Sequence, residues 1–187
     1  MSTPHHESHA ELAAYVATLE LSDTENVLAG GRAVQYHVGS RALRFARRQH
    51  GVADVRDIDL SLTDDEYRRL MERNDLGVQV IVHELNRNGE GSPFVGESLN
   101  IGDGLYDVWC MQWYEAAREP NGIITHDELL QNSAWQPDVG VRVLSRDYLI
   151  AQRERSIAYL ESKPTLTTKE QTRLAKDRAD LSVLTTK

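Results

Sequence analysis

One cysteine, two phenylalanines and no long apolar run mark this 187-residue sequence by what it lacks. A single cysteine, Cys110, excludes an internal disulfide. No hydrophobic segment approaches the roughly 18 residues that a bilayer crossing requires. The first residues lack the charged-then-apolar layout of a secretory leader. These absences lead us to expect a protein that is cytoplasmic, or incorporated in a particle assembled in the cytoplasm, with no membrane partner. With only two Phe, the core must rest on Leu, Val, Ile, Tyr and Trp. Lysine is also scarce. Four Lys, all at or after position 163, accompany 17 Arg.

What is present is charge, and it is unevenly spread. The formal net charge is −8. Residues 1–31 hold five acids and no Lys or Arg, and residues 32–50 hold five Arg and no acid. Residues 51–145 carry a net of −11, and residues 146–187 a net of +3. An acidic body with a basic C-terminal part can recognise an opposite face of a neighbour.

The pattern predicts an α+β fold: a mainly helical single domain with a small sheet and a C-terminal antiparallel helical pair. We divide it into an acidic body, 1–145, and a helical hairpin, 146–187. Leu99 to Ala117 is the most apolar stretch, and Leu105, Val108, Trp109, Trp113 and Ala116 recur at helical spacing. A central helix near 103–118 is therefore expected, with Asp103 as its cap and both Trp109 and Trp113 buried. Residues 1–7 read as a polar tail, followed by an amphipathic helix over 9–20. Residues 22–39 are open between strand and helix, with breaks at Gly30-Gly31 and Gly39. A helix over 40–50 should turn Ala42, Leu43, Phe45 and Ala46 inward. Ile58, Leu60 and Leu62 alternate with Asp57, Asp59 and Ser61 as in a short strand. Thr63 with Glu66, and Thr125 with Glu128, read as capping boxes of helices, and 78–85 and 139–143 as strands. Residues 91–104 read as a glycine-punctuated loop. Ser145 caps a helix to about 162, Pro164 breaks it, and Thr167 with Glu170 caps a last helix to about 184.

Chemistry-bearing residues do not converge in the sequence. His5, His6 and His9 lie in the tail, where ligand support is lacking. His126-Asp127 suggests a metal phosphohydrolase pair, with His83 and Asp147 as distant partners, but Thr125 explains it as a helix start. Asp57, Asp59, Asp64, Asp65 and Glu66 form an acidic cluster without the spacing of a calcium loop, and read as a solvated edge. Gly102-Asp103-Gly104 lacks the lysine of a phosphate-binding loop. Cys110 lies among aromatics as an inert thiol. We therefore expect no catalytic residue, no bound metal and no cofactor.

The expected function is a non-enzymatic structural or adaptor subunit of a larger assembly, such as a head, connector or tail component of a phage-like particle. Its partners would be protein subunits of the same assembly, in a homo- or hetero-oligomer. The expected interaction residues are Arg41, Arg44 and Arg48 on one helix face, with Leu149, Arg153, Ile157, Leu174, Arg178 and Leu181 on the helical pair. That pair has a thin apolar stripe and is expected to dock on a neighbouring subunit rather than on its own body. Two other classes compete. One is a small metal-dependent hydrolase using His83, Asp103, Asp107 and His126. The other is a nucleic-acid-associated regulator using the arginine helix or the C-terminal pair, although the acidic charge argues against nucleic acid.

Overall fold

A computed structural model describes residues 4–83, 94–101, 106–109, 115–116 and 125–186. The fold is α+β, as the pattern predicts. Helix α1 (Pro4–Leu19) leads to a two-residue strand β1 (Val27–Leu28) and then to helices α2 (Gly30–Val38) and α3 (Ser40–Gln49). Strand β2 (Ile58–Ser61), helix α4 (Asp64–Met71) and a 3-10 turn at Asn74–Leu76 follow. Next come β3 (Gln79–His83), β4 (Phe94–Ile101), β5 (Tyr106–Trp109) and β6 (Glu115–Ala116). The chain closes with α5 (His126–Gln131), β7 (Ser133–Gln136), β8 (Val141–Leu144), α6 (Arg146–Glu161) and α7 (Thr168–Leu184).

The sheet is mixed, in the order β3-β4-β5-β2-β1-β8-β7, with β6 paired to β4. β1 lies antiparallel to β2 and parallel to β8, and β2 lies parallel to β5. Asp59 of β2 is the register partner of Asp107 of β5. The β1 and β2 strands read as nearly continuous buried residues, with Val27, Leu28, Ile58 and Leu60 fully buried. Such strands are covered on both faces. Leu12, Val16 and Leu19 of α1 and Leu149 of α6 join the same core. No described helix is long and apolar enough to cross a membrane.

Several expectations are corrected. The helix near 103–118 gives way to strands at Tyr106–Trp109 and Glu115–Ala116. Tyr106, Asp107, Val108 and Trp109 also suit a strand, and pairing with β2 and β4 decides in favour of that period. Trp113, Cys110 and Asp103 lie outside the described residues. The glycine-punctuated loop contains β4, whose backbone is claimed by β3 on one side and β5 on the other. α1 begins at Pro4 inside the expected tail. Phe45 is 64% exposed, because α3 buries Leu43, Ala46 and Arg47 instead. Residues 22–39 resolve into a short strand and a helix. The Thr63 capping box does not form. Thr63 Oγ1 donates to Asp23, and Glu66 turns to Ser22, Asp23, Asn26 and Arg69. Thr125 and Ser145 do cap their helices, and Thr167 with Glu170 makes a full capping box.

The helical pair packs on itself and docks on its own body, against α2 and α3. The expectation of docking on a neighbour is corrected by one buried ionic knot. Arg47 of α3 donates Nε and Nη2 to the two oxygens of Asp180 on α7, at 3.0 and 3.2 Å. Arg153 of α6 reaches the same carboxylate at 3.2 Å. The sequence reading counted apolar residues and missed these buried charges.

Candidate active site

The first turn of α2 meets β2 at a point where no side chain intervenes. Gly30 has φ +59°, in the left-handed region, and its neighbour Ala29 supplies no side-chain cap. Ala29 N–H instead donates to the Asp59 main-chain oxygen at 2.9 Å. A Cβ on Gly30 would lie 1.6 Å from Asp59 Oδ2. Glycine is therefore required here twice over, by conformation and by the carboxylate pressed against it. Gly31 is tight as well, since its Cβ would meet Arg47 Nη2 and Val55 Cγ2 at 3.0 Å. The Gly31 N–H donates to the Asp59 carboxylate. An uncapped helix start presents N–H groups and the positive end of the helix dipole, which suits an anion.

β2 brings two acids to this helix start. Asp57, just before the strand, and Asp59 are two residues apart, so in an extended chain both belong to one face. Burial raises the pKa of the Asp59 carboxyl, and the Asp57 charge raises it further. Lys176, Arg153 and the Gly31 N–H pull the other way without winning. Asp107 occupies the neighbouring register position on the parallel strand β5. The topology thus brings Asp59, with Asp57 two residues before it, beside a glycine-led helix. Carboxylates held together without full compensation suit a divalent cation of the hard, oxygen-seeking kind. Among the described residues, no group of three His, Cys, Asp or Glu side chains is placed to hold a metal ion.

The sequence reading treated Asp57 and Asp59 as a solvated edge and Gly30-Gly31 as a break. A signal was present. Ala29 stands where a helix start ordinarily carries Ser, Thr, Asp or Asn, and two glycines follow it. Two acids also alternated with buried aliphatics on the next strand.

The other nominated residues are dispersed. His126 is buried in the first turn of α5, and its Nδ1 is 2.8 Å from Ser61 Oγ. Burial lowers its pKa and keeps it neutral, although nearby acids oppose the shift. His83 lies on β3, Asp107 on β5 and Asp147 in the first turn of α6. Arg41, Arg44 and Arg48 are exposed on α3, and Arg44 pairs with Asp54 at 3.3 Å. Leu149 is fully buried, while Ile157, Leu174 and Leu181 are half-buried. Arg153 turns inward to Asp177 and Asp180. Arg178 is exposed and pairs with Glu161 at 2.7 Å.

No family model matches the sequence, and no curated protein matches it. Among solved structures, the chain is similar to a Megavirus polyadenylate synthase, at 16% sequence identity and a TM-score of 0.41. The likeness covers 93% of this chain and 33% of that one, so this chain spans about a third of that structure's length. That structure's name is an enzyme's, whereas the sequence led us to expect a non-enzymatic structural or adaptor subunit of a larger assembly, such as a phage-like particle; that expectation is withdrawn.

Proposed function

We propose that the protein is a metal-dependent nucleotidyltransferase. The observation that supports this most is the contact of Gly30 with the Asp59 carboxylate, where a bare helix start meets paired acids. The helix start would take the phosphates of a nucleoside triphosphate, because its N–H groups and dipole favour negative charge. Asp57 and Asp59 would hold divalent cations. Asp57 and Asp59 are oxygen donors of the kind a divalent cation takes, and Lys176, Arg153 and the Gly31 N–H do not outweigh the burial of Asp59. The cations would supply charge neutralisation at the transferring group and orient it for in-line displacement.

In this reading an acceptor oxygen bonds to the α-phosphorus, the bond from that phosphorus to the bridging oxygen breaks, and pyrophosphate leaves. The acceptor's proton passes to a solvent water molecule. Gly31 holds Asp59 in place through its N–H, and the Arg47–Asp180 knot holds α3 and α7 around the glycines. The test uses nucleoside triphosphates labelled at the α-phosphorus, with magnesium or manganese and an extract as the source of acceptors. Transfer of label to an acceptor, lost in Asp59→Asn and restored by no metal there, is the expected result. Absence of label transfer with all four nucleotides and both metals would overturn the proposal.

A further inference from the structure

Behind Gly31, on the side away from Asp59, α1, α2, α3 and the segment 54–55 enclose a cavity of about 80 Å³. That is room for on the order of five water molecules. Arg32 and Arg47 form its buried cationic side, with Gln35 between them and Ser40 at the start of α3. Glu11, Arg44 and Asp54 are exposed at its rim.

The two buried arginines differ in how they are neutralised. Arg47 is held by both oxygens of Asp180. Arg32 is only 6% exposed, yet the carboxylate paired with it, Glu11, stays 3.8 Å away and is half in water. Its Nη1 donates to Gln35 Oε1 at 2.9 Å, its Nη2 makes a long 3.5 Å contact with the Arg56 carbonyl, and it lies 5.5 Å over the Tyr15 ring. Its Nε has no partner at all. A buried cation so weakly compensated is costly, and an anion in the adjoining space would remove the cost. The guanidinium fork matches the oxygens of a tetrahedral oxyanion.

We infer that this cavity is a phosphate-binding site, with Arg32 as its principal donor. The inference stands on the cavity and on the buried Arg32 guanidinium, whose Nε lacks a hydrogen-bond partner, and does not depend on the transfer reading. The phosphate can be free, the tail of a nucleotide, or the terminal phosphate of an oligonucleotide.

The experiment follows backbone amide signals of the whole wild-type chain by NMR while inorganic phosphate is added without metal. The inference expects saturable shifts centred on Arg32, Gln35, Ser40 and Arg44. Arg32→Gln should weaken that binding at least tenfold, as loss of a charged hydrogen-bond donor does. Arg32→Lys should weaken it less, since the charge survives. Asp59→Asn should leave it unchanged, which separates this site from the proposed catalytic one. Displacement of phosphate by a nucleoside triphosphate, or by a 5′-phosphorylated oligonucleotide, identifies the natural source. Displacement by neither leaves free phosphate as the ligand. If wild-type amides near Arg32 do not shift at tens of millimolar phosphate, the inference is wrong. Equal affinity in a folded Arg32→Gln variant would also overturn it.

Discussion

Glu66 and Asp59 are both carboxylates shielded from water, seven residues apart, and the protein treats them in opposite ways. Glu66 accepts hydrogen bonds from the Ser22 N–H and hydroxyl, the Asp23 N–H, the Asn26 amide and Arg69 Nε. Burial alone would raise its pKa, but those donors hold it below the ordinary value. Asp59 has the Gly31 N–H on its carboxylate and the Asp57 charge beside it, and its pKa is raised. The first is a structural anchor, tying the 22–26 loop to α4. The second is held at a cost to the fold, as functional carboxylates commonly are. Comparing the two separates a carboxylate whose charge its neighbours satisfy from one whose charge they do not.

Asp59→Asn gives the largest effect. Nucleotidyl transfer should fall about a thousandfold, the scale of losing one preorganised electrostatic group. Stability should not fall with it. A carboxyl whose folded pKa lies above its unfolded value makes the fold less stable as pH rises past the unfolded pKa. Removing that charge should hold the melting temperature or raise it by about 2–4 °C at neutral pH, the shift of roughly 1 kcal/mol in a domain of this size. Calorimetry beside the label-transfer assay checks both halves. In the wild type, transfer should rise with pH through a midpoint above the usual carboxylate range, because a protonated Asp59 cannot hold a cation.

Glu66→Gln reverses the pattern, with stability lost by about 3 kcal/mol through removal of a buried, fully partnered charge. Its folded pKa is depressed, so the stabilisation is complete above the unfolded value near about 4.3 and is lost as pH falls through the folded one. Denaturant melts of wild type and variant should differ at neutral pH and converge in acid. Gly30→Ala should cost about 1–3 kcal/mol from its positive φ alone, and displace Asp59 besides. Crossed with Asp59→Gly, which clears the space, the pair should be far from additive. Thr167→Ala touches neither carboxylate of the comparison and should cost about 1 kcal/mol, a cap's worth, with transfer unchanged.

Helices with polar caps were legible in the sequence, because a cap is a local device. Ser145 and Thr167 with Glu170 begin α6 and α7 at the expected residues, and the fold class followed from the same patterns. The strands at 94–101 and 106–109 were not legible, since pairing with β3 and β2 decides them. The Thr63 box failed for a related reason: Glu66 found better donors forty residues away. The site was hidden by its own chemistry. Gly30-Gly31 looks like a break until a carboxylate fills the space of the absent Cβ, and Asp59 looks solvated until α2 is laid against it.

The short strand β1 has a consequence for how the chain comes to be. Its two residues pair with residues 60–61 on one side and with 142–143 on the other. Ala29 and Gly30 follow it, so the glycine turn is framed by residues 60–61 on one side and, on the other, by residues 142–143, more than a hundred residues further along the chain. Contacts of such separation form late, after the loop between them has paid its closure entropy. On a ribosome, the acids and glycines emerge early but stay unassembled until β8 and α7 arrive. Refolding of the purified protein should show the Asp59 environment among the last to protect its amides.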